Sequence, residues 1–205
     1  MEIIKISRKI PEIKKVQEIV EALRAGRIVV LPTDTSYGLC ANAFDSQIIE
    51  KIFMIKQRSR RKPISVIMNN LEMIKKITWV QQREERILRQ YLPGPFTFIL
   101  NRKEIMPRLL NLAGDSLGVR IPQSNIIQSI TQGIDFPITA TSANISGEGS
   151  IYSVKKIIER LGEQKVRPDL VVDVGRLPRI KPSTIVDLTC DPPQVVREGP
   201  VDFEL

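Results

Sequence analysis

Arg27-Ile-Val-Val-Leu-Pro-Thr-Asp-Thr-Ser-Tyr-Gly38 sets an apolar, β-branched run against a loop dense in hydroxyls. Residues 27–31 read as a buried strand that Pro32 ends, because a short continuous apolar run bounded by a turn signal suits a strand covered on both faces. The loop 32–38 leaves that strand at its carboxyl end, where open α/β sheets present ligand-binding groups. Four of its seven residues carry hydroxyls. The same residues also suit a plain turn, in which Thr33 and Asp34 satisfy backbone amides and Gly38 takes a positive φ.

Outward from this segment the pattern alternates between helix and strand. Before it, Ile13, Val16, Val20 and Leu23 recur at helical spacing across 11–25, with Pro11 suited to the first turn and Gly26 to the C-terminal cap. After it, Asp45 suits the N-cap of a second helix. Ile48, Ile49, Ile52 and Phe53 then put Lys56 one turn beyond Ile52, on the protein-facing side. Further strands are expected at 64–68, 96–100, 117–121, 138–140, 170–174, 184–188 and 195–196, and helices at 80–91, 124–132 and 153–161. Helices mixed with hairpin-length gaps predict an α/β fold, a twisted mixed β-sheet with packed helices, over a single domain spanning 1–205.

Composition removes whole classes of chemistry. The 205 residues contain no histidine, which excludes Ser-His-Asp triads, Cys-His dyads and His-containing metal sites. Cys40 and Cys190 form no CxxC pair and read as isolated small hydrophobes in a reducing compartment. The amino terminus lacks the apolar core of a signal peptide, and no run approaches the roughly 20 apolar residues of a membrane span. A cytoplasmic protein with no membrane partner is expected. Lys and Arg number 31 against 23 acidic residues, and the net charge of +8 favours polyanionic partners such as nucleotides or RNA.

Four segments carry candidate chemistry. Lys56-Gln-Arg-Ser-Arg-Arg-Lys62 places five cations in seven residues with no carboxylate nearby to neutralise them, so a helix end and its loop can surround phosphates. A solvated basic patch or a general RNA contact fits the charge as well. Thr139-Ala-Thr-Ser-Ala-Asn-Ile-Ser-Gly147 offers small hydroxyl and amide donors beside a glycine, which suits either close backbone approach to an anion or ordinary capped turns. Gly118-Val-Arg-Ile-Pro122 and Val195-Val-Arg-Glu-Gly199 each end an apolar run on an arginine, placed to pair a carboxylate or phosphate of a ligand or a structural acid.

Taken in order, Pro-Thr-Asp-Thr-Ser-Tyr-Gly-Leu (32–39), Lys-Gln-Arg (56–58), Pro-Gly-Pro-Phe-Thr (93–97), Gly-Val-Arg-Ile-Pro (118–122), Ser-Ala-Asn-Ile-Ser-Gly (142–147), Ser-Thr-Ile-Val-Asp (183–187) and Val-Arg-Glu-Gly (196–199) resemble the YrdC/TsaC family. The resemblance runs from about Arg27 to Gly199 and suits the family's short, single-domain form. The end of the chain from Lys181 is similar to the YciO-like branch. Ser59 stands where the family usually has proline, Asp34 where it more often has glutamate, and Thr141 where it more often has proline.

The resemblance implies a YrdC-like fold with a positively charged concave cleft. It also implies threonylcarbamoyl-AMP synthesis from L-threonine, bicarbonate and ATP, for a downstream tRNA threonylcarbamoyl transferase. The family's Lys-x-Arg and Ser-x-Asn signatures fall on Lys56, Arg58, Ser142 and Asn144. Carried over in this way, Lys56 and Arg58 are the catalytic cations. Arg120 takes the threonine carboxylate, Thr33 and Thr35 position threonine, and Ser142, Asn144, Ser150, Ser183 and Arg197 line the ATP or threonine site. Mg²⁺ is expected to arrive with the triphosphate rather than on a dedicated protein site. Replacing Lys56 or Arg58 by alanine is expected to abolish pyrophosphate release with little change in unfolding. Two alternatives are a non-catalytic binder of tRNA or double-stranded RNA and a family enzyme with another substrate.

Overall fold

Val29, Val30 and Leu31 have no accessible surface, as an uninterrupted apolar run requires of a strand covered on both faces. The computed structural model, which describes residues 1–204, builds outward from them. The amino-terminal elements are β1 (Glu2–Lys5), α1 (Ile13–Arg24), β2 (Val29–Pro32), β3 (Tyr37–Cys40), α2 (Ser46–Lys56), β4 (Ser65–Ile67), α3 (Leu71–Ile77) and α4 (Gln82–Tyr91). They are followed by β5 (Phe96–Asn101), β6 (Ser116–Arg120), α5 (Asn125–Gln132), β7 (Ile138–Ser142), α6 (Val154–Leu161), β8 (Leu170–Asp173), β9 (Thr184–Asp187) and β10 (Gln194–Arg197).

All ten strands join one sheet in the order β1-β8-β2-β3-β7-β4-β6-β5-β9-β10. It is mixed, as expected: β8 is parallel to both β1 and β2, whereas β3 is antiparallel to both β2 and β7. Pro32 extends β2 instead of ending it. It pairs with Tyr37, and β8 reaches only Val29 and Val30, so the missing N–H faces no strand. Gly38 likewise lies inside β3, against Ser142 of β7, and is absent from the glycines with positive φ. The expected loop therefore contains only 33–36.

Alternation along the strands divides the two faces. Val66, Phe98, Val119 and Val186 point into a core made with α2, α3, α4 and α6. Their neighbours Ile67 and Ile138 turn to the opposite face and pack with α1 and α5. Those two helices cover one end of that face and leave the rest open. On the open part stand Ser65, Thr97, Gly118 and Ala140, small residues that keep a hollow above the sheet. Gly118 lets the strands beside it sit close, because a Cβ on it would lie 2.4 Å from Ser65 Oγ and 3.2 Å from Thr97 Cγ2, and those side chains would have to shift.

Candidate active site

The hollow is a cavity of about 440 Å³, within the ~300–1,000 Å³ range of small-molecule sites. Its floor is the open sheet face. Its walls are the ends of β7 and β10, the turn after β2, the loop after α2 and the loop 143–150. Eight of the ten residues expected at the site line it: Thr35, Arg58, Arg120, Ser142, Asn144, Ser150, Ser183 and Arg197. Thr33 and Lys56 stand elsewhere.

Lys56 is 1% exposed and does not reach the cavity wall. Asp45 accepts hydrogen bonds from Gln47 N and Ile48 N and so starts α2 in the register that turns Lys56 inward beyond Ile52. Its Nζ donates to Ser142 O at 2.5 Å, Asn144 Oδ1 at 2.8 Å and Asn144 O at 3.1 Å. An ammonium has three hydrogens, and these acceptors use them all. In this arrangement Lys56 grips the loop that forms the wall, through Ser142 and Asn144, both of which line the cavity.

Asn144 is the hub of that loop. Its Oδ1 also accepts from Ser142 Oγ at 2.6 Å, and its Nδ2 donates to Glu148 O at 2.5 Å and Gly149 O at 3.2 Å. Ser146 N donates to Lys56 O at 2.7 Å, which fastens the loop to the end of α2 a second time. Burial, with the Arg58 charge as the lesser cause, depresses the Lys56 pKa to about 7.

Gln57, in the left-handed conformation at φ 47°, ends α2 and turns the chain so that Arg58 faces the cavity. Arg58 Nη2 donates to Pro63 O at 3.0 Å and holds the basic loop around itself. Of the five cations in this run, Lys56 is buried and Arg60 pairs with Glu50 at 2.9 Å. Glu50 lies on α2, so the expectation of no neutralising carboxylate fails through helix geometry rather than sequence proximity. Arg61 and Lys62 are exposed.

Across the cavity, Arg197 donates from Nε and Nη2 to Ser183 O, at 3.0 and 2.8 Å, while Ser183 Oγ meets Thr97 Oγ1 at 2.8 Å. Burial, and secondarily the Arg120 charge, lowers the Arg197 pKa. Burial also lowers that of Arg58. Arg120 Nη2 donates to Asp34 Oδ1 at 2.8 Å. Thr33 Oγ1 is spent on its own turn, donating to Ser36 O at 2.7 Å and accepting from Thr35 N and Ser36 N. It faces a side recess of about 40 Å³ beside the main cavity.

The walls therefore hold three guanidiniums and one carboxylate, Glu148, which is itself paired with Arg160. Partly desolvated cations facing one another favour an anionic ligand. Sequence reasoning missed the floor residues Ser65, Thr97, Ser116 and Gly118, although Ser116, Gly118 and Arg120 follow one another at the two-residue spacing of a single strand face. It also missed Asp34 as the partner of Arg120, a contact between residues 86 apart.

The Sua5/YciO/YrdC family model, described as telomere recombination, matches residues 21–199. The chain belongs to the Sua5/YciO/YrdC family. It is 36% identical over 194 residues to a protein of Methanocaldococcus jannaschii with a provisional threonylcarbamoyl-AMP synthase name, covering 94% of this chain and 90% of that one. The crystal structure of Pyrococcus abyssi Sua5 complexed with L-threonine matches with a TM-score of 0.90 at 30% identity, over 97% of this chain and 58% of that one. Escherichia coli YciO matches equally, with a TM-score of 0.90 at 30% identity and 98% of each chain covered. In this Sua5/YciO/YrdC chain, the lysine of Lys-x-Arg and the Ser-x-Asn pair form one network that holds the loop, and the arginine faces the cavity beside it.

Proposed function

We propose that the protein is a threonylcarbamoyl-AMP synthase, converting L-threonine, bicarbonate and ATP into threonylcarbamoyl-AMP and pyrophosphate. The observation that carries this reading is a nucleotide-sized cavity with Arg58, Arg120 and Arg197 on its walls and hydroxyl donors between them. Likeness to the threonine-bound Sua5 structure supports the amino-acid substrate.

The threonine amine first adds to bicarbonate, giving a carbamate and water. A carbamate oxygen then attacks the α-phosphorus of ATP, and the bond to pyrophosphate breaks. Both partners are anions, so charge repulsion dominates the barrier, and fixed cations in a partly desolvated cleft lower it. No protein nucleophile or histidine base is needed.

Arg58 serves the phosphates and the charge that develops on them. Arg120 takes the threonine carboxylate, and Thr35 and Ser183 flank the amino acid. Ser142, Asn144, Ser150 and Arg197 border the nucleotide. Lys56 acts through Ser142 and Asn144, whose places it fixes. The single wall carboxylate is already engaged by Arg160, so Mg²⁺ enters on the triphosphate, keeping its waters. The product passes to a tRNA threonylcarbamoyl transferase, and any tRNA contact lies on the basic surface of this cytoplasmic protein. Among the described residues no helix is long and apolar enough to cross a membrane.

The equal match to YciO, a relative whose name states no substrate, keeps a second reading beside this one, the same adenylation on another amino acid. Pyrophosphate release with a panel of amino acids separates the two. Threonine is expected to drive release in the presence of bicarbonate, and Arg58→Ala to cut it by roughly 10²–10³-fold. Release that ignores threonine, or full turnover by Arg58→Ala, contradicts the assignment.

A further inference from the structure

Asp34 is nearly buried, its side chain 8% exposed, and it faces Arg120, whose side chain is 11% exposed. Oδ1 accepts from Arg120 Nη2 at 2.8 Å, and Oδ2 accepts from Gln123 N at 3.3 Å. One short carboxylate thus ties together the 33–36 turn, the end of β6 and the start of the segment after it. The turn itself does not depend on Asp34, because Thr33 Oγ1 supplies its internal bonds.

Arg120 lines both the main cavity and the side recess. Only Nη2 of its guanidinium is bonded among the described residues, and Nε is buried without an acceptor. A guanidinium has five N–H donors in a rigid fork, so holding one nitrogen fixes the direction of the others. Asp34 does not line the cavity, and its hold on Arg120 comes from outside it.

We propose that Asp34 is a positioning residue for the amino-acid substrate: by holding one nitrogen of Arg120 it aims the remaining donors of the fork at the substrate carboxylate. This rests on the reading that Arg120 receives that carboxylate. Asp34 touches no ligand and sets amino-acid affinity through Arg120 alone. The nucleotide side, built on Arg58 and the Lys56–Asn144 network, shares no hydrogen bond or ion pair with the Asp34 carboxylate, which bonds Arg120 and Gln123 N, and is independent of it.

The test uses the full chain, its Asp34→Asn and Asp34→Glu variants, calorimetric titration with L-threonine, and pyrophosphate release. Asparagine keeps the shape and an acceptor but removes the charge that holds the fork. Asp34→Asn is expected to weaken threonine binding and raise the KM for threonine by about tenfold or more, with the KM for ATP and the kcat at saturating threonine within about twofold. Asp34→Glu, which restores the charge, is expected to recover part of the lost affinity. Unchanged threonine binding by a folded Asp34→Asn protein overturns the proposal. So does an equal rise in both KM values, which marks a general loosening of the cleft. A wild-type protein that binds threonine while both variants bind it equally removes the proposal alone. A wild-type protein that binds no amino acid removes the functional reading and this proposal with it.

Discussion

Lys56 is held inside the protein by three oxygen acceptors and by nothing acidic. Its burial could be anticipated from the helical spacing to Ile52, but its partners lie 86 and 88 positions away and leave no local trace in the sequence. This geometry revises the expectation that replacing it leaves unfolding almost unchanged: losing Nζ leaves Asn144 O without its donor, at about 1–3 kcal/mol if it stays buried, while Ser142 O keeps Asn144 N and Asn144 Oδ1 keeps Ser142 Oγ. Lys56→Met should therefore destabilise the fold as well as the wall of the cleft. Between about 7 and the ordinary lysine value of 10.5, the unfolded chain holds a proton that the folded chain has released. Unfolding in that window takes up a proton, so raising the pH opposes it, and the contribution of this group to stability rises from about pH 7 to 10.5. Below about 7 both states are protonated and the contribution is flat. Each unit of depression is worth about 1.4 kcal/mol, so denaturant unfolding at pH 6, 8 and 10 should show wild type gaining a few kcal/mol on Lys56→Met with rising pH. Parallel stability curves would contradict a depressed Lys56.

At the scale of elements, the strand, the loop and the helix that position the site were legible because each carries a local signal. The apolar run and the Asp45 cap fall where the pattern puts them, and the hydroxyl-rich turn falls inside the expected loop but shortened to 33–36, because Pro32 and Tyr37 pair across it. β3 was not legible. Its four residues follow directly on turn-like sequence, and only pairing with β2 and β7 makes them a strand. The close seat of the chain end on β9 was equally hidden. A Cβ on Gly199 would lie 2.2 Å from Thr184 N and 2.7 Å from Pro182 O, both backbone atoms that cannot swing aside. The following residues are anchored by Thr184 Oγ1 donating to Val201 O at 2.5 Å and by Tyr91 against Phe203, with ring centroids 5.1 Å apart. Gly199→Ala should cost about 1–3 kcal/mol and disturb Arg197, two residues before it. Gly149→Ala, with nothing within 4 Å of its Cβ, should stay within about 0.5 kcal/mol of wild type. Equal unfolding midpoints for the two variants would refute the tight seat of the chain end.

For the whole molecule, alternation of helix and strand sufficed for a mixed sheet with packed helices, yet not for its strand order. β1 is short, mostly exposed and flanked by charge, and it becomes a strand only through parallel pairing with β8, some 168 residues later. α3 spans seven residues, started by Asn70 accepting from Met73 N, too short for a helical period to stand out. The cleft emerges at this scale alone. Helices cover one face of the sheet and only part of the other, and motifs scattered from Thr35 to Arg197 meet on the uncovered part. That convergence underlies the assignment of threonylcarbamoyl-AMP synthesis, and the product itself provides its test. Purified protein is incubated with ATP, L-threonine and ¹³C-bicarbonate, and the adenylates are examined by mass spectrometry. The labelled carbon is expected in an adenylate that forms only when threonine is present. An adenylate without the label, or none at all from folded protein, would contradict the assignment.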